Sequence, residues 1–475
     1  MRETRNHAKL YAKQRKQKAG MGAILRDSVA CCTSGVVGEK RALSLSFILV
    51  VCCSSCTTVP AIQPQINSLV IAKRFDRALK VFEDHPQGYS EKNRLLYFLD
   101  KGLVLHLAGQ YEKSIDELEK AKGKYGLLYT RSITKGVGSW LWNDYTKPYR
   151  GEDFERVMVN IFQALNYAML GDISESLVEA RDVDSMVSAI NQQYDPGQKN
   201  VYKEDAFARM LMGILYEASG SSADLNDAFI SYRKAYESYE NLYQSHYAVA
   251  APRVLKENLL TLAGWMGKEE FRQYRNKFED VDFLSLADKQ KKAQVYLIHY
   301  QGLSPLKYPD SIILLGAKGE LIKISFPRYK ERIFDEEPKT FLAVSKDGAA
   351  YSAVTELGEN ISAIAVKNLR QRRSRIIAKS VGRQAAKYFL QKGVKEKIEE
   401  NHGKDAGDLF QYGAGLVNLY AEQTDIRAWQ TLPAQIRIAR LLLDPGEYDL
   451  SFDGKDIGHA VVKAGHKKFF IIRTN

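Results

Sequence analysis

The sequence predicts an α+β protein: an N-terminal all-α helical-repeat solenoid, then a β-rich, sandwich-like domain with an inserted helical segment. Three observations carry this expectation. Over residues 65–285 small and apolar residues follow a helical period and recur after 36 residues. From Gln294 the period shortens to two, and turn signals appear at close intervals. Between two such β blocks, Ile361 to Glu400 returns to the helical period. A chain of 475 residues, 45% hydrophobic and 27% charged, has the composition of an ordinary globular protein and the length for two or three cores.

The N-terminal region reads as an export signal. Lys40 and Arg41 precede the uncharged run Ala42–Cys53, and Ser54, Ser55 and Cys56 follow. That run falls well short of the roughly 20 residues a transmembrane helix needs. Cys53-Ser54-Ser55-Cys56 resembles the bacterial lipobox, with Cys53 where Leu or Val is usual. The resemblance implies a signal peptide over 37–55, palmitate-type acylation of Cys56, and a lipid-anchored chain. Thr57, in place of Asp, implies sorting to the outer membrane, facing the periplasm. Residues 1–36 fit no part of this signal, and the expected translational start is Val36 or Val37. All five cysteines (Cys31, Cys32, Cys52, Cys53 and Cys56) lie in this region. A chain beginning at Cys56 therefore holds no second thiol for a disulfide or a thiolate metal cluster. Of the net charge of +12, a surplus of seven lies in residues 1–55, so the remainder is only mildly basic and gives no footprint for nucleic acid.

After a linker over 56–64, the repeats begin. Phe75, Ala78 and Phe82 recur as Tyr111, Ser114 and Leu118. Gly102, Gly109, Tyr111, Ser114, Leu118 and Ala121 resemble the tetratricopeptide pattern, with Gly102 and Ser114 where two helices touch. Weaker copies run through Ala164, Tyr167, Gly171, Ile173, Ser176, Ala180 and Val183. Another runs through Gly213, Ala228, Tyr232 and Ala235, with SGSSADLN read as an insertion at the turn, and a fifth is expected over Leu259–Phe278. Stacked helix pairs of this kind leave a concave surface that suits peptides or other proteins. Residues 125–154 interrupt the repeats with aromatic and cationic side chains. Trp140, Trp142, Tyr145 and Arg150 are its candidate partner-binding residues; the alternative is that its aromatics cap the neighbouring core.

The β part is expected in two blocks. In 290–358, Val295, Leu297 and His299 alternate with Tyr296, Ile298 and Tyr300, both sets partly apolar. Ser311–Leu315 and Leu321–Phe326 flank one turn, and Phe341–Ser345 and Tyr351–Glu356 flank Asp347-Gly348. In 433–475, Ile436–Leu443, Glu447–Phe452, His459–Lys463 and Lys468–Arg473 read as a meander. The two blocks are expected to join in one domain. The helical insertion, 359–432, carries an apolar stripe from Ile361 through Leu369, Ile377, Val381 and Ala385 to Phe389. Opposite it stands a basic face with Arg370, Arg372, Arg375, Lys379, Arg383 and Lys387. Arg372, Arg373 and Arg375 are the candidate contacts to a membrane or an acidic polymer; a solvated face over a core explains the same pattern.

The stretch LLLDPGEYDLSF resembles small β-sandwich modules of the PEGA type. Together with the lipobox, LHLAGQYEKSIDELEKA, YRGEDFERVMVNIFQALNYAMLGD, ISFPRY and TDIRAWQTLP, it resembles a family of bacterial outer-membrane lipoproteins with tetratricopeptide-like helices. That resemblance covers nearly all of 56–475 and implies work in the cell envelope, near the machinery of peptidoglycan synthesis. It assigns no role beyond Cys56; Asp425, Arg427 and Trp429 match its pattern, as a salt bridge under the last sheet would also explain. No Gly-x-Ser-x-Gly elbow, His-Glu-x-x-His, Walker loop or dinucleotide fingerprint is present, and the histidines are scattered. No catalytic, cofactor-binding or metal-ligating residue is therefore assigned. The expected function is a lipid-anchored scaffold or adaptor that binds other envelope proteins. The alternative is an envelope hydrolase or glycan-binding protein.

Overall fold

The computed structural model describes residues 60–133, 147–192, 202–315 and 321–475. Cys56, Trp140, Trp142 and Tyr145 lie outside them. Residues 57–475 form one compact unit, and the fold is α+β.

Helices α1 (Gln63–Ile71), α2 (Phe75–Asp84), α3 (Arg94–Leu107), α4 (Tyr111–Ile133), α5 (Asp153–Leu170), α6 (Ile173–Gln192), α7 (Ala206–Ser219) and α8 (Ser222–Ser238) come first. They pack largely as sequential pairs, α3 with α4, α5 with α6 and α7 with α8. The first two of these pairs share their joint. Gly109 and Gly171 close α3 and α5 with φ of 73° and 82°, a backbone that favours glycine. Ser114 then donates to Gly102 O at 2.7 Å, and Ser176 to Ala164 O at 2.6 Å, each reaching back twelve residues. A Cβ on Gly102 would meet the Leu118 side chain at 2.7 Å, so the small residue sets how closely α3 and α4 approach.

Two expectations need correction here. The stretch read as an insertion after α7 is no loop: Gly220 closes α7, and the Ser221 hydroxyl caps α8 by accepting from Asp224 N. The interruption expected from Tyr125 begins as helix, because α4 runs on to Ile133. A π-helical turn (Tyr239–Tyr243), α9 (Gln244–Tyr247), α10 (Arg253–Met266), α11 (Lys268–Arg275) and α12 (Leu286–Lys291) complete the array.

The strands are β1 (Ala293–Gln301), β2 (Leu306–Leu315), β3 (Leu321–Lys330), β4 (Thr340–Ser345), β5 (Ala350–Val354), β6 (Glu356–Glu359), β7 (Gln435–Leu443), β8 (Gly446–Phe452), β9 (Lys455–Val462) and β10 (Lys467–Thr474). One sheet has the order β10-β1-β7-β6, a second β5-β4-β8-β9, and β2 and β3 form a separate ribbon. Both sheets draw strands from both blocks, so the blocks do join. The C-terminal strands, however, are not a meander. The chain changes sheet between β7 and β8 and returns for β10, which lies parallel to β1.

The alternation along β1 explains this arrangement. Val295 and Leu297 face the second sheet, in a core with Leu441, Phe341, Leu450 and Phe452. Tyr296, Ile298 and Tyr300 face the helices, in a core continuous with Phe162, Ile436 and Trp429. Both sets are apolar because β1 is covered on both faces. Helices, first sheet and second sheet are thus three layers.

One hydrogen-bonded chain crosses the boundary between the first two layers. Tyr300 Oη lies 3.0 Å from His106 Nε2, and His106 Nδ1 lies 2.6 Å from Asn166 Oδ1. Asn166 donates to Ser114 Oγ at 2.9 Å, and Ser114 to Gly102 O. Because Asn166 Oδ1 can only accept, His106 carries its proton on Nδ1 and accepts from Tyr300 on Nε2. Burial lowers this imidazole to about 4 against the Asn166 bond, so it stays neutral. Replacing Tyr300 by Phe removes the donor to a buried acceptor. The variant is expected to lose about 1–3 kcal/mol in urea denaturation; unchanged stability would show that the chain contributes nothing across the boundary.

Candidate functional site

Helices α13 (Ile361–His402) and α14 (Lys404–Ala421) form a hairpin that packs against β3. After α14 the chain runs without regular structure from Glu422 to Ala434 and passes through the interior. Its buried groups are satisfied by side chains of the helical array. Arg427 is 1% exposed. It holds Asp425 with Nε and Nη2 (2.9 and 2.6 Å) and donates from Nη1 to Asn93 Oδ1 at 3.0 Å. Trp429 donates its backbone N–H to Glu155 Oε1 at 2.8 Å and its indole N–H to Thr431 Oγ1 at 3.0 Å. Thr431 and Gln63 both donate to Asp100, as does Tyr89, and Asn67 donates to Gln430. The Asp425–Arg427 pair therefore exists, but it sits against the helices rather than under the last sheet.

Two carboxylates at the start of α5 have opposite fates. Glu152 is the N-cap and Glu155 the third helical residue, and they form a reciprocal capping box. Burial pushes the Glu152 carboxyl up, but Arg372 and Lys307, both paired to it, outweigh burial and bring it down to about 2. Glu155 receives neutral donors instead: Tyr149 Oη at 2.5 Å, Trp429 N and Glu152 N. Burial, and then the charge on Glu152, raise it to about 7.

Beside Glu152 lies a cavity of about 300 Å³. Its wall comes from the turn before α5, from β2 and β3, from α13 and from residues 423–425 at the start of the irregular segment. Its lining includes Lys147, Arg150, Lys307, Arg372, Lys379 and Arg383 against the carboxylates of Glu152 and Asp425. The structure thus brings together Arg150 and Arg372, which the sequence placed in unrelated segments. Arg373 instead lies exposed over the Phe326 ring, 4.7 Å from its centroid, and Arg375 is partly buried. Lys307 and Glu152 on the lining, and Glu422 behind Arg383, were missed. Each stands alone in its stretch of sequence, and only the helix-start pattern Glu152-x-x-Glu155 could have pointed to one of them.

The stripe on α13 also needs correction. Ile361, Ala365 and Leu369 are buried, but Val381, Phe389 and Leu390 are 45%, 69% and 58% exposed. Here Arg383 and Lys387 turn inward. Glu422, 1% exposed, accepts from Arg383 at 2.7 Å, Lys387 at 3.2 Å and Ser380 at 3.0 Å. A buried carboxylate sets which side of the helix turns in, and the apolar stripe is left outside. Val394, Leu409 and Tyr412 are further exposed apolar residues on the hairpin.

Among the described residues, no group of three or more His, Cys, Asp or Glu is placed to hold a metal ion, and no helix is long and apolar enough to cross a membrane. No protein-family model matches this chain, and no curated protein matches it.

The folded value of Glu152 lies below its ordinary 4.5. Its stabilising contribution is therefore complete above about 4.5 and is lost as the pH falls toward 2. Glu152→Gln leaves Lys307 and Arg372 without their shared charge, and is expected to cost about 3–5 kcal/mol at pH 7. Urea denaturation across a pH series checks this: the gap from wild type should close between pH 4.5 and 2, whereas a constant gap would contradict the charge-based account.

Proposed function

We propose that the chain is a scaffold of the bacterial cell envelope, tethered by lipid on Cys56 to the outer membrane and facing the periplasm, and that it binds another envelope protein through the α13–α14 hairpin. The observation that carries this reading is the exposure of six large apolar side chains on the hairpin, Val381, Phe389, Leu390, Val394, Leu409 and Tyr412. Monomeric proteins seldom expose so many on one helical hairpin without a partner for them.

The charges on the distal part of the hairpin favour a protein over a bilayer. Between Leu390 and Leu409 the exposed charged residues are Lys392, Lys397 and Lys404 against Glu396, Glu400 and Asp405. An interfacial helix that lies on anionic lipid presents a predominantly basic polar face. Balanced charges around an apolar centre are the pattern of a protein interface with a polar rim. Arg372, Arg383 and Lys387, which a lipid-facing helix would turn outward, are instead drawn to Glu152 and Glu422. On this reading the interaction surface is the helical insertion, and the tryptophans of the aromatic interruption, Trp140 and Trp142, lie outside the described residues.

Phe389→Ala combined with Leu390→Ala removes two largely exposed side chains, so stability is expected to change by no more than about 0.5 kcal/mol per site. In crosslinked membranes the double variant is expected to lose the protein captured by wild type. Recovery of the same protein in equal yield would overturn the assignment of the surface. Palmitate labelling tests the tether separately: the label should vanish in Cys56→Ala, and its survival there would remove Cys56 from the account.

A further inference from the structure

The cavity beside α5 has no part in the docking surface proposed above, and its construction points to a ligand of its own. On its lining Glu152 is shared by Lys307 and Arg372, and Arg383 reaches from the lining to the buried Glu422, which Lys387 also holds.

Arg383 makes the case specific. Its side chain is 5% exposed, and it lines the cavity. One nitrogen, Nη2, donates to Glu422 Oε1. Nε and Nη1 are buried and have no hydrogen-bond partner among the described residues. Three N–H protons are thus left without an acceptor on a cation that water reaches poorly. A buried donor in that condition is costly, and more so when it is charged. Buried polar groups in folded proteins almost always find partners, and a ligand oxygen would supply the missing acceptor here.

The chemistry of that ligand follows from charge, geometry and volume. The donors on Arg383 point along more than one edge of the guanidinium, which suits an anion with several oxygens set tetrahedrally. A phosphoryl group offers three acceptor oxygens and a charge approaching −2, which suits a lining that carries Lys307, Arg372 and Arg383. The cavity of about 300 Å³ is at the small end of the range for small-molecule sites. It has room for a phosphoryl group and the first atoms of whatever carries it. Ser325 and Gln423 on the lining add neutral polar side chains between the two ion-pair clusters.

We propose that this cavity binds a phosphoryl group, anchored by Arg383 with Lys307 and Arg372 around it. The group could belong to a soluble phosphate ester or to a lipid headgroup, and both present the same oxygens.

Calorimetric titration of the full chain in nonionic detergent tests this, with inorganic pyrophosphate as one probe and dihexanoylphosphatidic acid as the other. Saturable binding of either probe is expected. Tighter binding of pyrophosphate assigns the group to a soluble ester, and tighter binding of the short-chain lipid to a headgroup. Arg383→Gln should weaken the tighter probe by about tenfold or more, the scale of one charge-assisted hydrogen bond. Gln423→Glu is isosteric and breaks no existing ion pair, so it reports on the site even if Arg383→Gln does not fold. It should weaken binding to a similar extent by placing a negative charge on the lining. Lys392→Gln, which removes an exposed cation on the hairpin, should leave binding unchanged. The proposal is overturned if neither probe saturates, if Gln423→Glu binds as wild type does, or if Lys392→Gln weakens binding as much as the cavity variants.

Discussion

The structure depends on a strap of irregular chain, residues 425–434, buried between the helical array and the first sheet. A segment without regular structure cannot satisfy its own polar groups, and each one left unpaired in the interior carries a desolvation cost. The helices supply the partners. Gln63 and Asn67 on α1, Asn93 and Asp100 at the start and middle of α3, and Glu155 on α5 all reach the strap. On the other side, Ser304 donates to Trp429 O at 3.0 Å, and Ala434 N to Gln301 O at 2.9 Å. The strap thus converts two packed layers into one body, because neither layer completes its hydrogen bonds without it.

The same constraint accounts for the electrostatics of the site. Glu155 is committed to the strap through the Trp429 N–H, and three neutral donors are a weak substitute for water. Its carboxyl is therefore held up at about 7, by burial first and then by the charge on Glu152. Glu152, one turn earlier, is committed outward to Lys307 and Arg372 and stays ionised. The cavity opens on the side of the ionised partner. Glu422, at the entrance to the strap, repeats the arrangement with Arg383 and Lys387, and in doing so fixes the rotation of α13. The inward turn of Arg383 and Lys387 and the outward turn of Val381 and Phe389 are two results of that single buried carboxylate.

Much of the fold is legible in the sequence where burial follows a period. The α+β class, the long helix from Ile361, and the turns at Gly109 and Gly171 all follow from local pattern. The two-sided apolar alternation of Val295–Tyr300 already implied a strand covered on both faces. Legibility fails where a single long-range contact overrides the local pattern. The C-terminal strands look like a meander because each joint carries a turn signal, yet the turn at Asp444-Pro445-Gly446 carries the chain from one sheet to the other. The stripe on α13 has a core-facing pattern along its whole length, but beyond Leu369 no core remains to receive it. Asp425, Arg427 and Trp429 were visible as a motif; nothing local indicates that their partners lie on α3 and α5. The cavity gathers residues from five separated segments, and no spacing within any one of them announces it.

The strap is part of the global fold rather than a loop laid over it. Native-state hydrogen exchange of the Trp429 amide, followed across a urea series beside amides of α5 and β1, tests this most directly. If the strap locks the layers together, the Trp429 amide exchanges only through global unfolding, and its free energy of opening merges with those of α5 and β1. Exchange of Trp429 at a distinctly lower free energy, while α5 and β1 remain protected, would show that the strap opens by itself and would contradict the account.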